Sequence, residues 1–207
     1  MQINLIAITK YLNGNGTPEE LLEHAGRICY QSESKGNPGA FLKRRIKEGH
    51  ESLIEHASAT FEIDGISRAC SHQLVRHRIS SVSQASQRYI DMSSPTFVTP
   101  SDIEKNPKAK LIYDHFLSLV PAFYSQLREL GINKEDARFI LPNATTTRLV
   151  VTMNFRAWRH FIKERGLNPA AQWEIRDLAL KILDILYKEA PSVFEDLINE
   201  RDKQTEH

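Results

Sequence analysis

The chain has 207 residues, of which 41% are hydrophobic and 26% charged, a size and balance that suit a soluble globular protein and argue against disorder. A chain of this length buries a sizeable core without disulfide or metal staples, and two cysteines, Cys29 and Cys70, fit a reducing cytoplasm rather than a disulfide framework. With 27 basic against 26 acidic residues and a formal net charge of +1, the chain as a whole lacks the basicity of a long-polyanion binder.

Met1 to Ile8 reads as a first strand, too short for a bilayer span and without a cationic leader, so no membrane association is expected. Thr17-Pro18-Glu19-Glu20 is a helix start, with Thr17 as cap, Pro18 in the first helical position and Glu20 closing a capping box; the helix should run to about Gln31. A second amphipathic helix is expected near Gly39 to Lys47, stopped by Gly49. His56 to Ile63 alternates like a strand that Gly65 should break, and Ile66 to Arg76 has helical spacing. Ser80 to Gln87 has few apolar anchors and reads as loop.

Asn106 to Leu130 predicts a long helix with Leu111, Ile112, Phe116, Leu119, Val120, Phe123 and Leu127 on one broad apolar face, kinked at Pro121 and ended by Gly131. Thr145 to Met153 is β-branched and strand-like. It leads into a helix from Asn154 to Arg165, and Pro169 should open the last strong helix, up to Ala190-Pro191. The polar tail from about Asn199 is expected to fray. No repeat, linker or composition break appears, so the expectation is one α+β domain over 1–207, with a small central sheet flanked by long helices.

Charge is unevenly placed. Between Asp64 and Asp91 there is no acidic residue, while Arg68, His72, Arg76, His77, Arg78 and Arg88 all lie inside. Guanidinium groups bind phosphate bidentately, and the small residues of Ser80 to Gln87 let backbone amides approach an anion. Two readings of these residues stay open: a nucleotide-phosphate site, or a solvated basic helix end beside a polar loop. An RNA-binding patch would interleave stacking aromatics, and between Gly65 and Gln87 histidine is the only ring, so no nucleic-acid partner is expected. His50, Glu55 and His56 lack the spacing of a zinc helix, so no metal is expected. Cys70 shares an apolar helical face with Ile66 and Leu74, which favours a buried structural thiol over a nucleophile.

The run Arg76-His77-Arg78, seven residues, then Ser86-Gln87-Arg88-Tyr89 resembles the signature of the flavin-dependent thymidylate synthases. Gly49-His50-Glu51-Ser52, Glu55-His56, Asn154-Phe155-Arg156, His160-Phe161 and Ala171-Gln172-Trp173-Glu174-Ile175 resemble further segments of that family, in order along nearly the whole chain. The resemblance implies reductive methylation of dUMP to dTMP, with FAD as hydride carrier and NADPH and methylenetetrahydrofolate as co-substrates. It implies FAD contacts from His50, Ser52, Arg76, His77, Arg78, Gln84, Asn154, Arg156 and His160. It implies dUMP contacts from Gln73, Arg76, Gln84, Ala85, Ser86, Gln87, Arg88, Arg138 and Arg165. Arg165 would be the catalytic cation stabilising an ionised pyrimidine, with Arg176 its competitor for that role. A homotetramer with intersubunit sites follows from the same resemblance.

Overall fold

The computed structural model describes residues 1–29, 31–34 and 36–205. Strand β1 spans Gln2–Ile8, and helix α1 spans Pro18–Cys29. The capping box forms as expected: Thr17 Oγ1 accepts from Glu20 N at 3.3 Å, and Glu20 Oε2 accepts from Thr17 N at 3.2 Å. These bonds, foremost the one from the Thr17 backbone, hold the Glu20 carboxyl below its ordinary pKa. Helix α1 stops two residues short of Gln31, which stands at φ +44. Helix α2 spans Pro38–Lys47, capped by Asn37, whose Oδ1 accepts from Ala40 N at 3.0 Å. Gly49, at φ +81, turns the chain into a 3₁₀ turn, Glu51–His56.

Strand β2 covers Ser58–Ser67 and does not end at Gly65. Gly65 takes φ +76 inside the strand, a kink that it accommodates without Cβ strain, and the strand resumes beyond it. Helix α3 is consequently short, Arg68–Leu74. The serine-rich stretch expected as loop contains strand β3, Ser81–Gln84. Its pairing partner is distant in sequence, so local periodicity carried no sign of it. Helices α4 (Ser101–Glu104), α5 (Pro107–Glu129) and α6 (Lys134–Ala137) follow, α5 running through Pro121 and capped by Asn106.

Strand β4 covers Thr146–Asn154 and passes directly into helix α7, Phe155–Ile162. The helix widens into a π turn, Lys163–Leu167, with Asn168 N donating to Lys163 O at 3.1 Å. Pro169 does not open the last strong helix: α8 spans Trp173–Glu189 and starts on Gln172, whose Oε1 accepts from Glu174 N and Ile175 N. Helix α9, Pro191–Thr205, carries the chain past Asn199 as helix where fraying was expected. The four strands lie in the hydrogen-bonded order β1-β2-β4-β3, making the fold α+β.

The chain divides into two compact units. One holds residues 1–2, 63–73 and 83–149, with α3, α5 and α6. Its interior includes Ile66, Cys70, Leu117, Val120, Tyr124 and Leu149. Most of the broad face predicted for α5 lies outside the core, with Leu111 73% exposed, Ile112 72%, Phe116 53% and Phe123 53%, while Val120 of that face is buried. The other unit holds residues 3–62, 74–82 and 150–207. Trp158 is fully buried there, its Nε1 donating to Ala59 O at 3.0 Å and its ring edge-on to Phe61 at 5.1 Å. Each fully buried Leu, Phe or Ile side chain contributes about 1.5–3 kcal/mol, and the α8 stripe of Ile175, Leu178, Ile182, Leu183 and Leu186 is wholly buried. No helix among the described residues is long and apolar enough to cross a membrane.

Candidate active site

In the second unit a cavity of about 980 Å³ is lined by Glu51, Glu55, Arg76, His77, Arg78, Ile79, Asn154, Arg156, Ala157, His160, Lys163, Glu164 and Arg165. This volume sits at the upper end of the roughly 300–1,000 Å³ found for small-molecule and cofactor sites. Arg76, Arg78, Arg156, Lys163 and Arg165 outnumber the three lining carboxylates, so the cavity favours an anion.

Local structure explains the placement of each group. Arg76, His77 and Arg78 leave the end of α3, with Ser80 Oγ donating to His77 O at 2.6 Å. Asn154 caps α7, its Oδ1 accepting from Ala157 N at 2.8 Å, so its position follows from the strand-to-helix junction. Arg156 and His160 lie one helical turn apart on α7. Arg156 is held by Glu55, Nη1 to Oε1 at 2.6 Å, a pairing that raises its pKa further. The π turn supplies Lys163, Glu164 and Arg165. Arg165 Nε donates to His77 Nε2 at 3.2 Å. Burial, then the Arg165 charge and then His160, press the His77 pKa from 6.5 down to about 4, so the ring is neutral at pH 7 and able to accept that bond.

Seven of the predicted site residues, Arg76, His77, Arg78, Asn154, Arg156, His160 and Arg165, therefore share one cavity. His50 and Ser52 do not line it; both are exposed, while Glu51 and Glu55 of the same 3₁₀ turn do. Arg176, the competitor of Arg165, is not in the lining: its Nε donates to Gly166 O at 3.2 Å and braces the π turn.

Apart from Arg76 and Arg165, the predicted nucleotide contacts fall in the first unit and are less gathered. Gln84 commits its amide hydrogens to Ser71 Oγ at 2.9 Å and Thr147 Oγ1 at 3.2 Å. Gln87 and Arg138 line a hollow of about 260 Å³ with Arg68 and His72. Burial and then the Arg138 charge lower the Arg68 pKa. Ala85 and Gln87 line a smaller hollow beside Arg148. Arg88 is turned to Glu135, Nε to Oε2 at 3.0 Å, and Ser86 Oγ accepts from Arg88 N at 3.3 Å. Gln73 is half-buried at the end of α3 and lines none of these hollows.

Sequence reasoning assigned no role to Lys163 and Glu164, which bear charge into the cavity, nor to Arg159. Arg159 is 1% exposed and pairs with Asp196 at 2.7 Å, with the carbonyl of Val193 and with Glu51 at 3.4 Å. Burial alone would raise the Asp196 pKa, but the bonds and charge of Arg159 outweigh it and hold the carboxyl below its ordinary value. Spacing on an amphipathic helix could have marked Arg159 as inward-facing, since Trp158 and Ile162 flank it on the buried side. Cys70 is fully buried, as its spacing implied, and Cys29 is exposed.

The profile of a family described as thymidylate synthase complementing protein matches residues 10–192. The flavin-dependent thymidylate synthase of Geobacter sulfurreducens is 42% identical over 190 residues, covering 86% of this chain and 82% of that one. The protein of that name from Mycobacterium marinum is 39% identical over 224 residues, covering 95% and 89%. That of Mycobacterium tuberculosis is 41% identical over 225 residues, again covering 95% and 89%. With a match across most of the chain and relatives aligned over most of their own length, the chain belongs to the thymidylate synthase complementing protein family, that of the flavin-dependent thymidylate synthases.

Proposed function

We propose that the chain reductively methylates dUMP to dTMP, taking the one-carbon unit from methylenetetrahydrofolate, with FAD as hydride carrier and NADPH as reductant. The observation that carries this is the cationic cavity in which Arg76, His77, Arg78, Asn154, Arg156, His160 and Arg165 meet. Its size and its excess of guanidinium groups suit a large anionic ligand such as a dinucleotide. Arg76, Arg78 and Arg156 would hold phosphate charge, His77, Asn154 and His160 would add polar contacts, and His50, Ser52 and Gln84 would complete the flavin contacts.

When bound, the flavin supplies hydride chemistry, so the protein needs no nucleophile of its own. The full burial of Cys70 accords with that. Arg165 presents a fixed cation whose task is to favour negative charge developing on the pyrimidine. Gln73, Ala85, Ser86, Gln87, Arg88 and Arg138 would cradle dUMP, and Arg88 must exchange Glu135 for phosphate to do so. That exchange is inexpensive, because the Arg88–Glu135 pair is about half exposed and such pairs contribute roughly 0–1 kcal/mol. The enzyme would act in the cytoplasm as a homotetramer with sites completed by neighbouring subunits, a reading supported by the exposed apolar face of α5.

Anaerobic turnover of the purified chain with dUMP, methylenetetrahydrofolate and NADPH, with and without FAD, tests the reading. FAD-dependent dTMP is the expected product. A folded, FAD-loaded chain that makes none would overturn it.

A further inference from the structure

The bond between Arg165 and His77 is the one side-chain contact that fixes Arg165 in the cavity wall, among the contacts the described residues show. We propose that His77 is a positioning residue: its neutral imidazole accepts the Nε–H of Arg165 and sets the plane of that guanidinium, leaving both terminal nitrogens to face the substrate. The meaning of this for catalysis rests on the function proposed above; the bond itself does not.

The geometry specifies the acceptor. Nε2 of His77 stands 3.2 Å from Nε of Arg165, and an arginine Nε–H can only donate, so Nε2 must be the unprotonated nitrogen and Nδ1 must carry the proton. The ring is also locked sideways. Phe161, fully buried, meets it edge-on at 5.0 Å and 89°, and His160 lies at 5.8 Å. A ring held between Phe161 and Arg165 has little rotational freedom, so it transmits the rigidity of α7 to the π turn. Without it, Arg165 would sit on a wide turn with several rotamers available, and misplacing a catalytic group by about 1 Å can cost on the order of 100-fold in rate.

Burial and the balance of charged groups around His77 favour its neutral state. Arg165 and Glu164 face it from the π turn and His160 from α7, with Arg76 and Arg78 its chain neighbours. The cations and burial outweigh the single carboxylate of Glu164, which pulls the other way. A protonated His77 would lose its acceptor and add a positive charge beside Arg165, so the bond persists only while the ring is neutral.

Nitrogen-15 NMR of the full chain reads this directly. At pH 7 the His77 ring should be the Nδ1–H tautomer with Nε2 unprotonated, and Arg165→Ala should move its titration midpoint upward. A ring protonated at Nε2, or a midpoint indifferent to Arg165→Ala, would overturn the proposal. These readouts need no turnover, so their failure is separate from a failure to make dTMP. In the active enzyme, His77→Phe should lower kcat by about 10- to 100-fold with a smaller change in KM for dUMP. His77→Gln, whose amide oxygen still accepts but does not titrate, should recover most of that loss and flatten the acid limb of the kcat profile. If His77→Gln is as impaired as His77→Phe at equal flavin content, the acceptor role is wrong.

Discussion

Arg78 and His77 are sequence neighbours with different fates. Arg78 is exposed in the cavity wall and presents a fully charged guanidinium, the group that grips phosphate. Arg78→Ala should therefore lower the flavin retained per chain, read from the visible absorption of the purified protein, with affinity falling by about 10- to 100-fold for one lost charge-assisted bond of roughly 1.5–3 kcal/mol. His77 is half-buried and neutral. Its folded pKa of about 4 lies below the ordinary 6.5, so the unfolded chain takes up the proton first as pH falls. The stability this group contributes is complete above pH 6.5 and declines between 6.5 and about 4. Urea midpoints at pH 7.5 and pH 5 should differ more in the parent chain than in His77→Gln; equal differences would show that another group titrates. Two of the three carboxylates in the cationic cavity have a structural logic as well. Glu55 holds Arg156, and Glu51 lies between Arg156, Arg159 and Lys163 at 3.9, 3.4 and 3.6 Å.

At the scale of elements, α1 and α2 pack so closely that Gly26 has no room for a side chain. A Cβ there would stand 2.8 Å from Phe41 Cε1. The Phe41 ring cannot easily yield, because Arg27 stacks on it at 4.3 Å. Gly26→Ala gains about 1 kcal/mol in helix propensity and costs about 1–3 kcal/mol in overpacking, so a net loss of stability is expected. Thermal unfolding would check it; an unchanged or raised Tm would show that the helices can part at no cost. The π turn after α7 obeys a similar constraint, since a Cβ on Gly166 would come within 3.3 Å of Ala179 and Leu180 on α8. The turn that presents Arg165 is thus seated directly against a buried helix.

For the whole molecule, the outstanding feature is the apolar face of α5. Leu111, Ile112, Phe116 and Phe123 together expose more apolar surface than scattered single residues require. In the homotetramer proposed above, a second copy of the chain would cover it. Ile112→Glu with Phe116→Glu should dissociate the assembly, measured by light scattering, with helix content preserved. An assembly that survives both charges would place the contact elsewhere. We also propose that residues 1–207 unfold as one domain, because the chain passes between the two units at 2–3, 62–63, 73–74, 82–83 and 149–150 and neither unit is a continuous stretch. Circular dichroism and tryptophan fluorescence should then give a single, coincident transition. Two separated transitions would show independent domains.

Local chemistry written in consecutive residues was legible from the sequence. The capping box at Thr17 and Glu20, the stop at Gly49, the strand-to-helix junction at Asn154, the buried Cys70 and the basic, acid-free stretch around Arg76 all depend on neighbours a few positions away. Tertiary structure decided what depends on distant partners. It made a strand of Ser81–Gln84, carried β2 through Gly65, turned the α5 face outward, chose Arg165 over Arg176 for the cavity and buried Arg159 against Asp196. The physical reason is the same in each case. Periodicity and capping are short-range, whereas strand pairing, exposure and the partner of a charged side chain are fixed only when segments separated by tens of residues are brought together.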